Sequence, residues 1–336
     1  MSNSPKPSRK KTLSFAIRLA GTLISTALFI WLISSQKWDV VFDKAAGIAF
    51  WAFLLAVGFY LLSYGFNTLR WCILLWAQGG KISLWQAYRL NWAGYFASNF
   101  LPGTVGGDGF RMLAVHPYTG SKTISIGSVV LYRIINMAAW FCLIPAPLLI
   151  FGDTLMSLRA AVVWQQGNLL SPGSRLINGR LLRSPEFGSL AMTLPLGLQK
   201  LFEKYFPKVV SAFRLWASKP WAFVYAFLAA WPSNFLPIAA TYLLARQLGM
   251  NVTYWQVIGV QSVSYFLSVL PISGNGLGLR EVVFTSLYTA LGSTLEQAST
   301  LALVTRFLTI LCTLPGAIWL TSAVTGAAGL DETPEV

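Results

Sequence analysis

A bilayer core about 30 Å thick is crossed by roughly 20 apolar residues wound into a helix, and this sequence supplies runs of about that length again and again. They cover residues 13–33, 48–77, 85–102, 123–151, 220–245, 254–271 and 297–323. Only 11% of the 336 residues are charged, while 55% are hydrophobic. That leaves too few charges to coat a soluble surface and too many aliphatic and aromatic groups for a disordered chain. The run 13–33 is too long for a signal-peptide core, and no small-x-small cleavage site follows Ser35, so it reads as an uncleaved first span. The run 85–102 is weaker, because it carries Arg89, Asn91 and Asn99. Trp38, Trp51, Trp85, Trp221 and Trp255 stand near span ends, where an interfacial aromatic belt belongs.

The net charge is +14, and it is concentrated. Residues 1–18 hold Lys6, Arg9, Lys10, Lys11 and Arg18 with no acid, and residues 152–219 hold nine Lys and Arg against Asp153, Glu186 and Glu203. The positive-inside rule puts both segments on the cytoplasmic side. Four spans separate them, and an even number of crossings agrees with that. Within the central segment, Leu198, Leu201, Phe202, Tyr205, Val209, Phe213 and Trp216 recur at helical spacing with Lys200, Lys204, Lys208 and Arg214 between them. Such a helix either lies in the membrane interface or packs on the protein. Residues 167–188, rich in Gly, Pro, Ser and Arg, read as a loop. The basic charge sets orientation and attracts anionic head groups, and no nucleic-acid partner is expected. His116 is the single histidine, and Cys72, Cys142 and Cys312 all sit in apolar runs. Neither a disulfide framework nor a metal site is expected, and no cofactor.

The two halves of the chain resemble one another. Trp85-Gln86, Tyr95-Phe96, Ser98 and Leu101-Pro102 recur as Trp255-Gln256, Tyr265-Phe266, Ser268 and Leu270-Pro271. After the prolines, Gly107, Gly109 and Arg111 match Gly276, Gly278 and Arg280, and each half then has one arginine-bearing span, with Arg133 or Arg306. A repeat of half the chain length points to duplication. The expected fold is an all-α, polytopic membrane protein of about seven to eight spans plus two Gly-rich re-entrant elements. Its parts are a basic tail 1–12, a membrane domain 13–325 and an acidic tail 326–336. The membrane domain divides into repeat one at 48–151, the basic segment 152–219 and repeat two at 220–323. If 152–219 does not cross, the repeats are inverted in topology, the arrangement of many secondary transporters.

The Gly-rich strings are the most informative part. In each, Pro ends the preceding helix and several glycines admit backbone angles that other residues avoid. Irregular backbone at membrane depth is tolerated where it is buried in protein or lines a watery cavity. Exposed amides and a helix N-terminus there make an anion site. The candidate substrate-binding set is Pro102, Gly106, Gly107, Asp108, Arg111 and Arg133 in the first half. In the second half it is Pro271, Ser273, Gly274, Gly276, Arg280, Glu281 and Arg306. The sharper reading has Arg111 and Arg280 facing one shared cavity and holding an anionic head group, since a guanidinium fork suits phosphate. The plainer reading makes Asp108–Arg111 and Arg280–Glu281 structural ion pairs. Arg70 and Arg89 read as interfacial snorkelling residues.

These motifs resemble the lysylphosphatidylglycerol synthase transmembrane region family. The resemblance rests on the L-P-G-x-x-G-G-D-x-x-R string of Leu101 to Arg111, the arginine span around Arg133 and the P-x-S-G-x-G-x-G-x-R-E string of Pro271 to Glu281. That family includes flippase-like membrane proteins, the membrane half of the multiple peptide resistance factor and membrane regions attached to archaeal dolichol-linked glycosyltransferases. In the fused relatives this half moves an aminoacylated phospholipid that a soluble synthase domain makes. This sequence departs from the fused pattern in ending at Val336 without a synthase domain, which removes the main clue to substrate. The resemblance implies an integral protein of a prokaryotic cell (inner) membrane, N-terminus cytoplasmic. It also implies a lipid translocase for an anionic phospholipid or polyprenyl-phosphate-linked lipid. Membrane lipids are the expected partners, and a separate synthase or glycosyltransferase is a candidate one.

No G-x-x-x-x-G-K-[ST] string occurs, and no G-x-S-G string, so ATP hydrolysis and intramembrane serine proteolysis are not supported, and no catalytic residue is assigned. Two alternatives stand beside the translocase. One is a lipid transferase using Asp108 or Glu281 as base. The other is a non-transporting membrane partner of a lipid-modifying or glycosyltransferase enzyme.

Overall fold

A computed structural model describes residues 34, 38–100, 105–147, 149–150, 216–269 and 278–320. Every described element is a helix: α1 Trp38–Ala46, α2 Phe50–Ala77, α3 Leu84–Phe100, α4 Val105–Ala114, α5 His116–Thr119, α6 Lys122–Phe141, α7 Pro220–Gln247, α8 Tyr254–Val269, α9 Leu279–Ala290 and α10 Leu295–Thr313. The expected first span 13–33, both tails and the segment 151–215 lie outside the described residues, as do the Pro-Gly strings 101–104 and 270–277.

Among the described residues, four helical runs are long and apolar enough to cross a membrane: Phe50–Ala77, Lys122–Pro147, Pro220–Gln247 and Leu295–Thr313. The described parts of the expected spans at 85–102 and 254–271 are the helices α3 and α8, of 17 and 16 residues. A further helix follows each in the sequence, α4 and α9. In the first half, α4 folds back antiparallel along α3. A Cβ on Gly107 would collide with Ser98 Oγ and the Gly94 carbonyl, and one on Gly94 would meet Arg111 Nε at 2.7 Å. Glycine at both places lets the two backbones approach, as small residues do throughout membrane helix interfaces.

The helix ends repeat as the sequence does. Ser83 and Gln86 cap α3 reciprocally, with Ser83 N donating to Gln86 Oε1 at 3.0 Å and Gln86 N to Ser83 Oγ at 3.2 Å. Thr253 and Gln256 do the same for α8 at 2.8 and 3.3 Å. This is the capping box, worth about 1 kcal/mol per cap. The helices α2 and α7 both end on a left-handed glycine, Gly79 at φ 79° and Gly249 at φ 72°. In both, an amide reaches back five residues, Gly80 to Leu75 and Met250 to Ala245, each at 3.0 Å.

The largest helix–helix contact is between α2 and α7, both of 28 residues. They run antiparallel. Ala49, before α2, donates to Gln247 Oε1 at the end of α7, while Lys219, before α7, donates through Nζ to the Ala77 carbonyl at the end of α2. Trp216 Nε1 bonds the Leu74 carbonyl at 2.8 Å on the same side. Along both helices the same places are buried: Ala52, Ala56, Tyr60, Ser63, Tyr64, Arg70 and Trp71 in α2, and Ala222, Ala226, Ala230, Ser233, Asn234, Ala240 and Thr241 in α7. A polar bond also recurs: Asn91 Nδ2 donates to Thr68 Oγ1 at 2.9 Å, and Gln261 Nε2 to Thr241 Oγ1 at 3.0 Å. The five belt tryptophans, Trp38, Trp51, Trp85, Trp221 and Trp255, are all exposed.

Candidate functional site

Arginines inside apolar helices are costly unless they are paired or face a cavity, and each one here has a distinct solution. Arg70 corrects the snorkelling expectation. It lies on α2 with no exposed surface, because α3, α6 and α7 enclose that face. Its Nη1 donates to Asn136 Oδ1 and its Nη2 to Asn67 Oδ1, both at 2.7 Å. Its guanidinium lies 4.0 Å from the Tyr132 ring centroid, a cation–π contact. Tyr132 gives its proton to Asn67 Oδ1 at 2.9 Å, which leaves Tyr95 to donate to Tyr132 across 2.8 Å. Asn136 Nδ2 then donates to Tyr265 at 3.0 Å, and Tyr265 stacks on Trp140. Arg89 is only part-buried and sits 6.0 Å from the Trp85 ring.

Helix α4 brings Asp108 and Arg111 to the edge of this network. One turn apart, they pair at 3.5 Å. Asp108 also pairs with Arg133 of α6 through its other oxygen, so a single carboxylate bridges two guanidiniums. Arg111 is 4% exposed and lies 4.4 Å from the Tyr95 ring centroid and 5.6 Å from that of Tyr132. The two tyrosines thus link Arg70 and Arg111 into one buried layer.

The second half differs. Arg280 and Arg306 line a cavity of about 270 Å³ together with Tyr60, Asn99, Trp140, Asn234 and Gln261. Its lining comes from α2, α3, α6, α7, α8, α9 and α10. Arg111 is not among its described lining residues. Arg306 takes the place beside Arg280, although it is only 7% exposed and its Nε finds no hydrogen-bond partner in the protein. Glu281, 1% exposed, is turned to the start of α9, where Oε2 accepts from Gly278 N at 2.8 Å. Its other oxygen is 4.0 Å from Arg280 Nη1, beyond hydrogen-bond reach. Asp108 is thereby committed to an ion-pair bridge, while Glu281 caps α9 through Oε2 and keeps Oε1 without a hydrogen-bond partner among the described residues.

One wall of the cavity is α7 where prolines interrupt it. Pro237 has no amide hydrogen to give the Ser233 carbonyl four residues back, and Ser63 Oγ supplies that bond at 2.7 Å. Ser233, Asn234, Pro237 and Ile238 all line the cavity.

Of the candidate set, Pro102, Pro271, Ser273, Gly274 and Gly276 lie outside the described residues, and Gly106 and Gly107 lie in α4. Tyr95, Tyr132, Asn67, Asn136, Asn99, Asn234 and Gln261 lie outside the candidate set, yet they take part in the network or line the cavity. Each is a hydrogen-bonding group inside an apolar run, and that was the available signal. Among the described residues, no group of three or more His, Cys, Asp or Glu could hold a metal ion.

The chain matches the family described as the lysylphosphatidylglycerol synthase TM region over residues 18–316 of 336. It therefore belongs to that family and is an integral membrane protein tied to lipid metabolism. No match was found among curated proteins.

Proposed function

From that membership we propose that the protein is a lipid translocase. The head group of an anionic phospholipid or a polyprenyl-phosphate-linked lipid enters the cavity and is met by Arg280 and Arg306, while its acyl chains stay in the surrounding lipid. The observation that carries this reading is the pair of guanidiniums on one cavity between the two halves. Guanidinium forks complement phosphate oxygens in charge and geometry. Asn99, Asn234 and Gln261 add hydrogen-bonding groups for the rest of a head group, and Tyr60 and Trp140 add apolar wall.

The halves form an inverted repeat in this reading. Antiparallel α2 and α7, with matching burial and reciprocal end contacts, favour a two-fold axis in the membrane plane, and α3–α4 then acts as a re-entrant hairpin. Rocking of one half against the other would carry the head group across without the chain hydrolysing ATP. The N-terminus faces the cytoplasm of a prokaryotic cell in this scheme, and a separate enzyme supplies the lipid.

The test is a leaflet-accessibility assay in proteoliposomes carrying a fluorescent phosphatidylglycerol and an impermeant quencher. Wild-type protein should expose the inner-leaflet pool, and Arg280→Ala and Arg306→Ala should slow that exposure. Wild-type vesicles that behave as protein-free ones would overturn the reading.

A further inference from the structure

The alignment of the two Gly-rich strings equates Arg111 with Arg280, and the arginine spans equate Arg133 with Arg306. In the first half, the space between the paired arginines is taken by Asp108, whose two oxygens each face one guanidinium. In the second half, the residue aligned with Asp108 is Leu277, and the nearest carboxylate, Glu281, is engaged by Gly278 N. There the two arginines line the cavity, whereas Arg111 and Arg133 pair with Asp108; Arg306, more than nine-tenths buried, keeps an Nε with no hydrogen-bond partner among the described residues, as Arg111 does.

We infer that Asp108 is an internal stand-in for an anionic ligand, and that the geometry it adopts between Arg111 and Arg133 is the one a phosphate group takes between Arg280 and Arg306. Carboxylate and phosphate present the same feature to a pair of guanidiniums: oxygens sharing a negative charge, each able to accept a charge-assisted bond. The duplicated unit thus carries one anion site of its own making, closed by its own carboxylate, and one that takes its anion from outside. A buried guanidinium without a close counter-charge is costly; the first half meets that cost with Asp108, whereas in the second Glu281 stands 4.0 Å from Arg280 and ligand supplies the close contacts. The ligand class is a phosphate mono- or diester, from a lipid head group or from free phosphate. The inference rests on the proposed head-group cavity, but it concerns binding rather than movement.

The experiment is calorimetric titration of the purified full chain in detergent with dihexanoyl phosphatidylglycerol and, separately, with inorganic phosphate. Wild type should bind a single equivalent. Arg306→Gln should weaken binding about tenfold or more, the worth of a charge-assisted bond. Arg133→Gln, which leaves Arg111 and Asp108 as a balanced pair, should bind as wild type does. Asp108→Asn removes the internal anion and should bind a second equivalent; combined with Arg306→Gln, it should restore a tight site. Lipid binding that free phosphate displaces identifies the shared phosphate chemistry. Binding of phosphate with none of the lipid assigns the site to the free anion and ends the head-group reading. A folded Asp108→Asn that still binds one equivalent overturns the stand-in role. Should Asp108→Asn fail to fold, equal weakening in Arg133→Gln and Arg306→Gln overturns it instead. Because translocation is read separately in vesicles, lipid movement with an unchanged Asp108→Asn stoichiometry would sink this inference alone.

Discussion

Ser63 and Ser233 occupy the same place, the fourteenth, in two 28-residue helices, and the hydroxyl of the first donates to the carbonyl of the second at 2.7 Å. That carbonyl is the one Pro237 leaves without an intrahelical partner. A sequence-distant residue thus repairs a helix where its own proline breaks it, beside the arginine-lined cavity.

Ser63→Ala should therefore destabilise the fold. Interhelical hydrogen bonds in membranes are worth about 0.6–2 kcal/mol, and the substitution removes the Ser63 hydroxyl from the Ser233 carbonyl. The measurement is thermal unfolding in detergent. A Ser63→Thr variant that keeps the hydroxyl should retain most of the stability, and an unchanged Ser63→Ala midpoint would contradict the repair.

Gly107 and Gly109 should respond oppositely to alanine. A Cβ at Gly107 meets Ser98 Oγ and the Gly94 backbone, whereas one at Gly109 meets nothing within 4 Å. Overpacking typically costs about 1–3 kcal/mol, so Gly107→Ala should lower the yield of monodisperse protein and its unfolding temperature. Gly109→Ala should sit near wild type. Equal tolerance at the two positions would mean α3 and α4 are not in close contact.

Arg70 and Arg89 separate in the same way. Arg70→Ala removes the donor to Asn136 Oδ1, whereas Asn67 Oδ1 keeps the Tyr132 hydroxyl, at about 1–3 kcal/mol for the unsatisfied group. Arg89→Ala, near the interface, should stay within about 0.5 kcal/mol. The comparison is unfolding temperature across the two variants, and a larger loss at Arg89 would refute the buried network.

The antiparallel α2 and α7 place their C-terminal loops at opposite ends of the pair. Lys81 and Asn251, both exposed, follow these helices. Single cysteines there, in a background with the native cysteines replaced, should react with an impermeant maleimide from opposite faces of sealed vesicles. Labelling from the same face would exclude an inverted repeat.

Much of the helix layout was legible in the chain because its signals are local. Serine or threonine followed three residues later by glutamine marks the starts of α3 and α8, and Gly79 and Gly249 mark the ends of α2 and α7. The runs 85–102 and 254–271 read as helices in the sequence and are helical over their described residues, but the close packing of α4 on α3 at Gly94 and Gly107 has no local signal. Arg70 differs from its sequence reading because a snorkelling arginine and a networked one look alike until the neighbours at Asn67, Tyr132 and Asn136 are brought together.

The sequence by itself determined that this protein is helical and membrane-embedded, and that its two halves carry a recurring motif with corresponding arginines. Those properties follow from hydrophobic run length, charge placement and repeated motifs, which need no folded chain to be read. Only the tertiary structure decided which arginines are closed and which are presented. Asp108 is three residues from Arg111 but meets Arg133 through a helix packing, and Arg306 reaches the cavity of Arg280 only when α10 closes against α2 and α7. The state of a buried charge depends on the groups within a few ångströms of it, and here those groups come from helices far apart in sequence.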